Sequence, residues 1–180
     1  MNLTGLLPVL LDDPAAGQVV ELAREPLAAA RASAVDVVLP PGARPALLAA
    51  VCDALGAPGG SRPPVVVVTA TGRDAEDLAA SLRCYLPGDD VAVLPAWETL
   101  PHERLSPRSD TVARRLAVFR RLGHPVPDGG QAGPVRLLVL PVRALLQPIV
   151  AGLEDLEPVA VQTGDQVDLD ELSERLVAAA

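Results

Sequence analysis

Five consecutive residues, Val65-Val66-Val67-Val68-Thr69, constrain the fold of this chain more than any other stretch. A β-branched run without alternation reads as a strand apolar on both faces, which is the pattern of a central parallel strand covered by helices on each side. Thr71-x-x-Asp74 follows at once and has the form of a capping box, so a helix opens there with Leu78, Leu82 and Tyr85 or Leu86 as its apolar stripe. The same strand-then-helix unit recurs along the chain. Val35–Leu39 reads as a strand and leads into a helix from Pro45. Val91–Leu94 leads through a proline-bounded loop to a helix starting near Ser109 or Asp110. Val135–Leu140 leads to a short helix, Val142–Val150, interrupted by Pro148. Pro158–Gln162 is a shorter strand, and Asp168 caps a last helix with Leu169, Leu172 and Leu176 as its buried stripe. Before all of these, Ala15–Ala32 has helical spacing that Pro26 splits. Strands alternating with helices this often specify an α/β fold, a parallel sheet with helices on both faces.

Composition narrows the chemistry. The chain has 180 residues, enough for about one domain. It is 49% hydrophobic but only 2% aromatic, so its core is built of Val, Leu and Ala. All fifteen basic residues are Arg, and the formal charge is −8. A nucleic-acid surface is normally basic, so the chain as a whole is not shaped electrostatically for DNA. Cys52 and Cys84 belong to no C-x-x-C and read as buried free thiols. Leu6–Leu11 has no positive residues before it and Asp12-Asp13 after it, which is not a signal-peptide pattern. A cytoplasmic protein is the expectation.

The loop and helix from Leu94 to Leu122 hold the only Trp (Trp97), the only Phe (Phe119) and one of the two His (His102). Loops between a strand and a helix are where α/β proteins place functional residues. The helix reads with Val112, Leu116 and Phe119 as the buried stripe and Arg114, Arg115, Arg120 and Arg121 largely off it, with Asp110 spaced to pair with Arg114. A lone Trp is more commonly a buried anchor than a binding residue on an exposed rim, and the anchor reading is preferred for Trp97.

Catalytic patterns are thin. A phosphate-binding loop needs glycines, a Lys for the outer phosphates and a Ser or Thr for magnesium. The loop after Val35–Leu39 has Pro41, Gly42, Ala43 and Arg44: one glycine, no Lys, no Ser or Thr, and prolines at 41 and 45 that remove two N–H donors. No apolar strand ends in the acidic pair that would position magnesium and water. The reading is a degenerate nucleotide site, with neither catalytic residues, cofactor nor metal. Its rival is a nucleotide-binding, helicase-type enzyme in which Arg44 and an atypical phosphate loop replace the usual elements. His102, Ser106 and Asp110 fall close together without a nucleophile elbow. His102, His124, Cys52 and Cys84 lack metal-ligand spacing. Glu98 and Glu103 are most simply solvated.

The stretch Trp97-Glu98-Thr99-Leu100-Pro101, then Ser106-Pro107, Asp110 and Arg115-Leu116, resembles the W-E-T-L-P…S-P…D…R-L signature near the N-terminus of bacterial transcription-repair coupling factors (Mfd), and more loosely a segment of the excinuclease subunit UvrB. The strand Val65–Thr69 with Asp77–Leu82 is similar to UvrB's strand and T-L-A-A-Q-L helix. Leu138–Val142 and Gly164-Asp165-Gln166 with the helix after it also resemble the family, so the likeness covers most of residues 35–180. The resemblance implies a RecA-like (P-loop NTPase-like) lobe without its ATP site. It implies the lobe over 34–152 and the incomplete start of a second, UvrA-docking α+β domain over 153–180, with the N-terminal lead-in helix over 1–33 read from its spacing alone. It implies UvrA as a partner, with RNA polymerase and DNA met only through other domains of a parent ATP-dependent translocase. The family's β-rich docking segment lies beyond the last helix, so the chain reads as stopping inside a domain.

Overall fold

The computed structural model describes residues 2–25, 34–56, 64–99, 106–123, 133–153, 159, 161 and 163–178. Three parallel strands, β1 (Val65–Thr69), β2 (Val91–Val93) and β3 (Leu137–Pro141), form a sheet in the order β1-β3-β2. Val65 pairs with Leu137 and Thr69 with Pro141 on one side of β3, and Val91–Val93 with Leu137–Val139 on the other. The α/β class and the parallel sheet are as expected; the place of the valine run is not. Among the described residues the central strand is β3, all five of whose residues are buried, and β1 is an edge. Val65 and Val67 pack on the core, while Val66 and Val68 are 51% and 46% exposed. A run of β-branched residues reports strand propensity but carries no information about how many of its faces find cover.

Helices cover both faces. On one lie α1 (Leu7–Leu11), α3 (Arg44–Ala54) and α4 (Gly72–Leu82), whose Leu7, Ala49, Ala50, Ala75, Ala79 and Leu82 pack with Val91, Val93, Leu137 and Val139. On the other lie α5 (Ser109–Gly123) and the short α6 (Val142–Leu146), through Val118 and Ala144 against Ala92, Leu94, Leu138 and Leu140. The small residues of α4 let its backbone approach the sheet closely, while α3 packs on α1 and α4. The helix α2 (Pro14–Arg24) is capped by Asp13, which accepts from the N–H of Ala15 and Ala16, and stops short of Pro26; residues 26–32 of the expected helix lie outside the described residues. α3 starts at Arg44 with Pro45 in its first turn, and α4 has the reciprocal Thr71–Asp74 capping box.

Val35–Leu39 forms no strand. It has no regular structure and lies in the open, with Val38 98% exposed. Strand propensity without a neighbour to accept its hydrogen bonds does not make a strand. Cys52 is buried as expected, and desolvation pushes its thiol pKa up, but Cys84 is only half-buried.

The starts of the strands are tied by Arg136. Its Nη1 is 3.0 Å from Asp90 Oδ2, and its Nη2 donates to the Cys52 carbonyl at 3.0 Å, joining sheet and α3. The N-terminal segment is pinned to the end of α4: Leu3 N–H donates to the Cys84 carbonyl and the Thr4 hydroxyl to that of Tyr85.

Residues 1–147 make one compact unit and 148–180 a second. The second contains α7 (Leu169–Ala178), capped by Asp168, whose carboxylate accepts from the N–H of Asp170 and Glu171. The stripe expected to be buried is not: Leu169 and Leu176 are exposed and Leu172 is half-buried, because no described element covers that face. Of the expected strand 158–162, residues 158, 160 and 162 lie outside the described residues, and Val159 and Val161 are not in a strand.

The open valines of β1 have a consequence in solution. An uncharged strand edge with exposed valines favours edge-to-edge association. Val68→Lys is expected to raise the concentration at which the chain begins to self-associate, with an unchanged circular dichroism spectrum. Light scattering against concentration measures this, and equal association of both proteins overturns it.

Candidate functional site

The strands' C-terminal ends open into a cleft of about 570 Å³. Its position follows from topology. The chain leaves β1 towards α4 on one face and leaves β3 towards α6 on the other, so the two connections diverge and leave a crevice between them. In open α/β sheets that crevice is the usual ligand position. Its walls are the start of α4 with its cap (Thr71, Gly72, Arg73, Glu76), the stretch Pro95–Glu98 after β2, and the first turns of α5 (Asp110, Thr111, Arg114), with Pro141 at the end of β3 and Arg143 beyond it.

The stretch after β2 is held by α5. Arg115 is 1% exposed, the most deeply buried charged side chain among the described residues. Its guanidinium carbon lies 4.4 Å from the centre of the Trp97 ring and 5.4 Å from that of Phe119. Its Nη1 donates to the Pro95 carbonyl at 2.6 Å, and its Nε finds no acceptor among the described residues. Desolvation pulls its pKa down, with no described carboxylate opposing that pull. A planar, weakly hydrated guanidinium can be sandwiched by aromatic faces where a lysine ammonium could not. The backbone of Trp97 is clamped from the other side: its N–H donates to Gln147 Oε1 at 2.8 Å, and Gln147 Nε2 donates to its carbonyl at 3.3 Å. Trp97 is thus half-buried, fixed through its backbone and its ring, and it also lines the cleft.

The burial of α5 corrects the sequence expectation. The buried residues are Thr111, Arg115 and Val118, while Leu116 is 47% exposed. The helix is rotated by about one residue, about 100°, from the face an apolar count selects. Two aromatic rings and a carbonyl offset the burial of Arg115, and hydropathy counting misses such compensation. The expected Asp110–Arg114 pair is also replaced. Asp110 pairs with Arg108 at 3.2 Å, and Arg114 bonds Glu76 of α4, bridging helices on opposite faces of the sheet. Both pairs are well exposed and contribute little stability.

Glu98 faces the cleft and accepts a hydrogen bond from the Thr111 hydroxyl. That bond, followed by one from backbone, holds its carboxyl below the usual carboxylate range. Arg143 reaches the Glu98 carbonyl at 3.5 Å. Trp97, Glu98 and Asp110 therefore meet at one cleft, with Arg115 behind it. Thr99, Ser106 and Pro107 are described but do not line it, and Leu100, Pro101, His102, Glu103 and His124 lie outside the described residues. Sequence reasoning missed Gln147, Thr111, Glu76 and Arg143. A polar residue at i+4 from Thr111, with Phe119 a further i+4 on, was the one available signal for the buried Arg115 face.

The loop expected to be a degenerate phosphate site lies apart from the cleft. Pro41-Gly42-Ala43 forms a single 3-10 turn running into α3, and Ala43 N–H is already bonded to the Pro40 carbonyl at 2.9 Å. Gly42 does not have a positive φ. Among the described residues no group of three His, Cys, Asp or Glu could hold a metal ion.

Over 179 residues the chain is 44% identical to the transcription-repair-coupling factors of Mycobacterium tuberculosis and Mycobacterium bovis, a match over 99% of its length. The chain belongs to the transcription-repair-coupling factor family, as a segment. It spans 13% of the length of those mycobacterial relatives. The Myxococcus xanthus factor is 35% identical over 127 residues, covering 66% of this chain and 10% of that protein. No family profile matches the chain.

Two outcomes test this geometry, both read in the 180-residue chain. Arg115→Ala is expected to lose about 3 kcal/mol of stability, from the stacked cation, the charge-assisted hydrogen bond and the space left behind. Arg115→Met is expected to lose less, because a thioether of similar reach fills the space without a buried charge. Urea unfolding followed by the fluorescence of Trp97, the sole Trp, measures both. Equal stability of the alanine variant and the parent chain would show that the contacts of Arg115 with the two rings and Pro95 contribute nothing to stability.

The second concerns Glu98. Its folded pKa is lowered, so its contribution to stability is present above the ordinary carboxylate value and is lost as pH falls through the lowered folded value. Thr111→Val is expected to move the Glu98 titration up towards that ordinary value, as read by carboxyl-carbon NMR. An unmoved titration rules out Thr111 as the cause.

Proposed function

We propose that this chain is the N-terminal, UvrB-like region of a transcription-repair coupling factor and serves as a non-catalytic docking module that recruits UvrA to stalled transcription. The identity of 44% across almost the whole chain carries the reading. The parent protein is then an ATP-dependent DNA translocase acting on stalled RNA polymerase, and this segment contributes neither the motor nor the nucleotide site. In this reading residues 34–152 are a RecA-like lobe, 1–33 its lead-in and 153–180 the start of the UvrA-docking domain. DNA and RNA polymerase are reached through other parts of the parent, in the cytoplasm.

Three observations support the non-catalytic part. The loop Pro41–Arg44 offers few free N–H groups to a phosphate, since Pro41 and Pro45 have none and that of Ala43 is engaged. No lysine exists to reach outer phosphates. Of the four arginines that line the cleft, Arg73, Arg108 and Arg114 pair with Asp77, Asp110 and Glu76, while Arg143 reaches only the Glu98 carbonyl, which suits a structural rim better than a polyphosphate cradle. The signature residues Trp97, Glu98, Asp110 and Arg115 then have structural roles, setting the shape of the rim. Among the described residues no helix is long and apolar enough to cross a membrane.

Titration calorimetry with ATP and magnesium tests the reading. No heat up to millimolar nucleotide is the expected result. Binding at micromolar affinity that is lost in Arg44→Ala overturns the non-catalytic assignment and establishes the atypical phosphate loop. A pull-down with UvrA tests the docking role separately. A longer segment of the parent, extended beyond residue 180, is expected to retain UvrA, and one ending at residue 152 is expected to lose it. Retention by neither overturns the docking role.

A further inference from the structure

We draw no further inference here: the strongest candidate, the exposed valine face of β1 at Val66 and Val68 with Leu145 and Leu146 of α6 exposed as well, is an unpartnered apolar patch, and nothing in the structure shows what covers it.

Discussion

The five residues of β3 are the constraint on which the first unit depends. Leu137, Leu138, Val139, Leu140 and Pro141 are all buried, and the strand hydrogen-bonds to a neighbour on each side. A strand closed on both faces and both edges requires two other strands and two layers of helix. Each of its larger side chains contributes about 2 kcal/mol on leaving water. The alternation along β3 sorts the two layers: Leu137 and Val139 meet α1, α3 and α4, and Leu138 and Leu140 meet α5 and α6. β1 and β2 then acquire their places by pairing with it, and the cleft is the gap where their outgoing connections part.

At the cleft end of the strands a polar device has a comparable role. Burying a guanidinium costs several kcal/mol unless its surroundings compensate. Arg115 is compensated by two aromatic faces and one carbonyl rather than by a carboxylate. The consequence is directional. A salt bridge to a flexible acid tolerates movement, whereas a planar cation over the rings of Trp97 and Phe119, with Pro95 accepting, ties the rotation of α5 to the path of the chain after β2. Gln147 fixes that path from the far side through the Trp97 backbone, so three sequence-distant segments converge on the cleft rim.

The comparison of sequence with structure is uneven for physical reasons. The capping box at Thr71–Asp74, the cap at Asp168 and the proline opening α3 were legible because each is a local matter of a few residues, whereas the Asp13 cap of α2 emerged only in the structure. The buried face of α5 was not legible, because the counter-groups that make Arg115 burial tolerable come from residues 95 and 97, far away in sequence. Nor was the fate of two similar valine-rich runs, Val35–Leu39 and Val65–Thr69, one left without regular structure and the other in the sheet.

By itself, then, the sequence determined the class of fold, the helix boundaries set by caps and prolines, and the family, since propensity, capping and motif spacing are local properties. Tertiary structure alone decided which strand is central, which face of α5 is buried and where a cleft opens. Those depend on which distant groups come to share one dielectric environment and one set of hydrogen bonds, and no local pattern of residues encodes that choice.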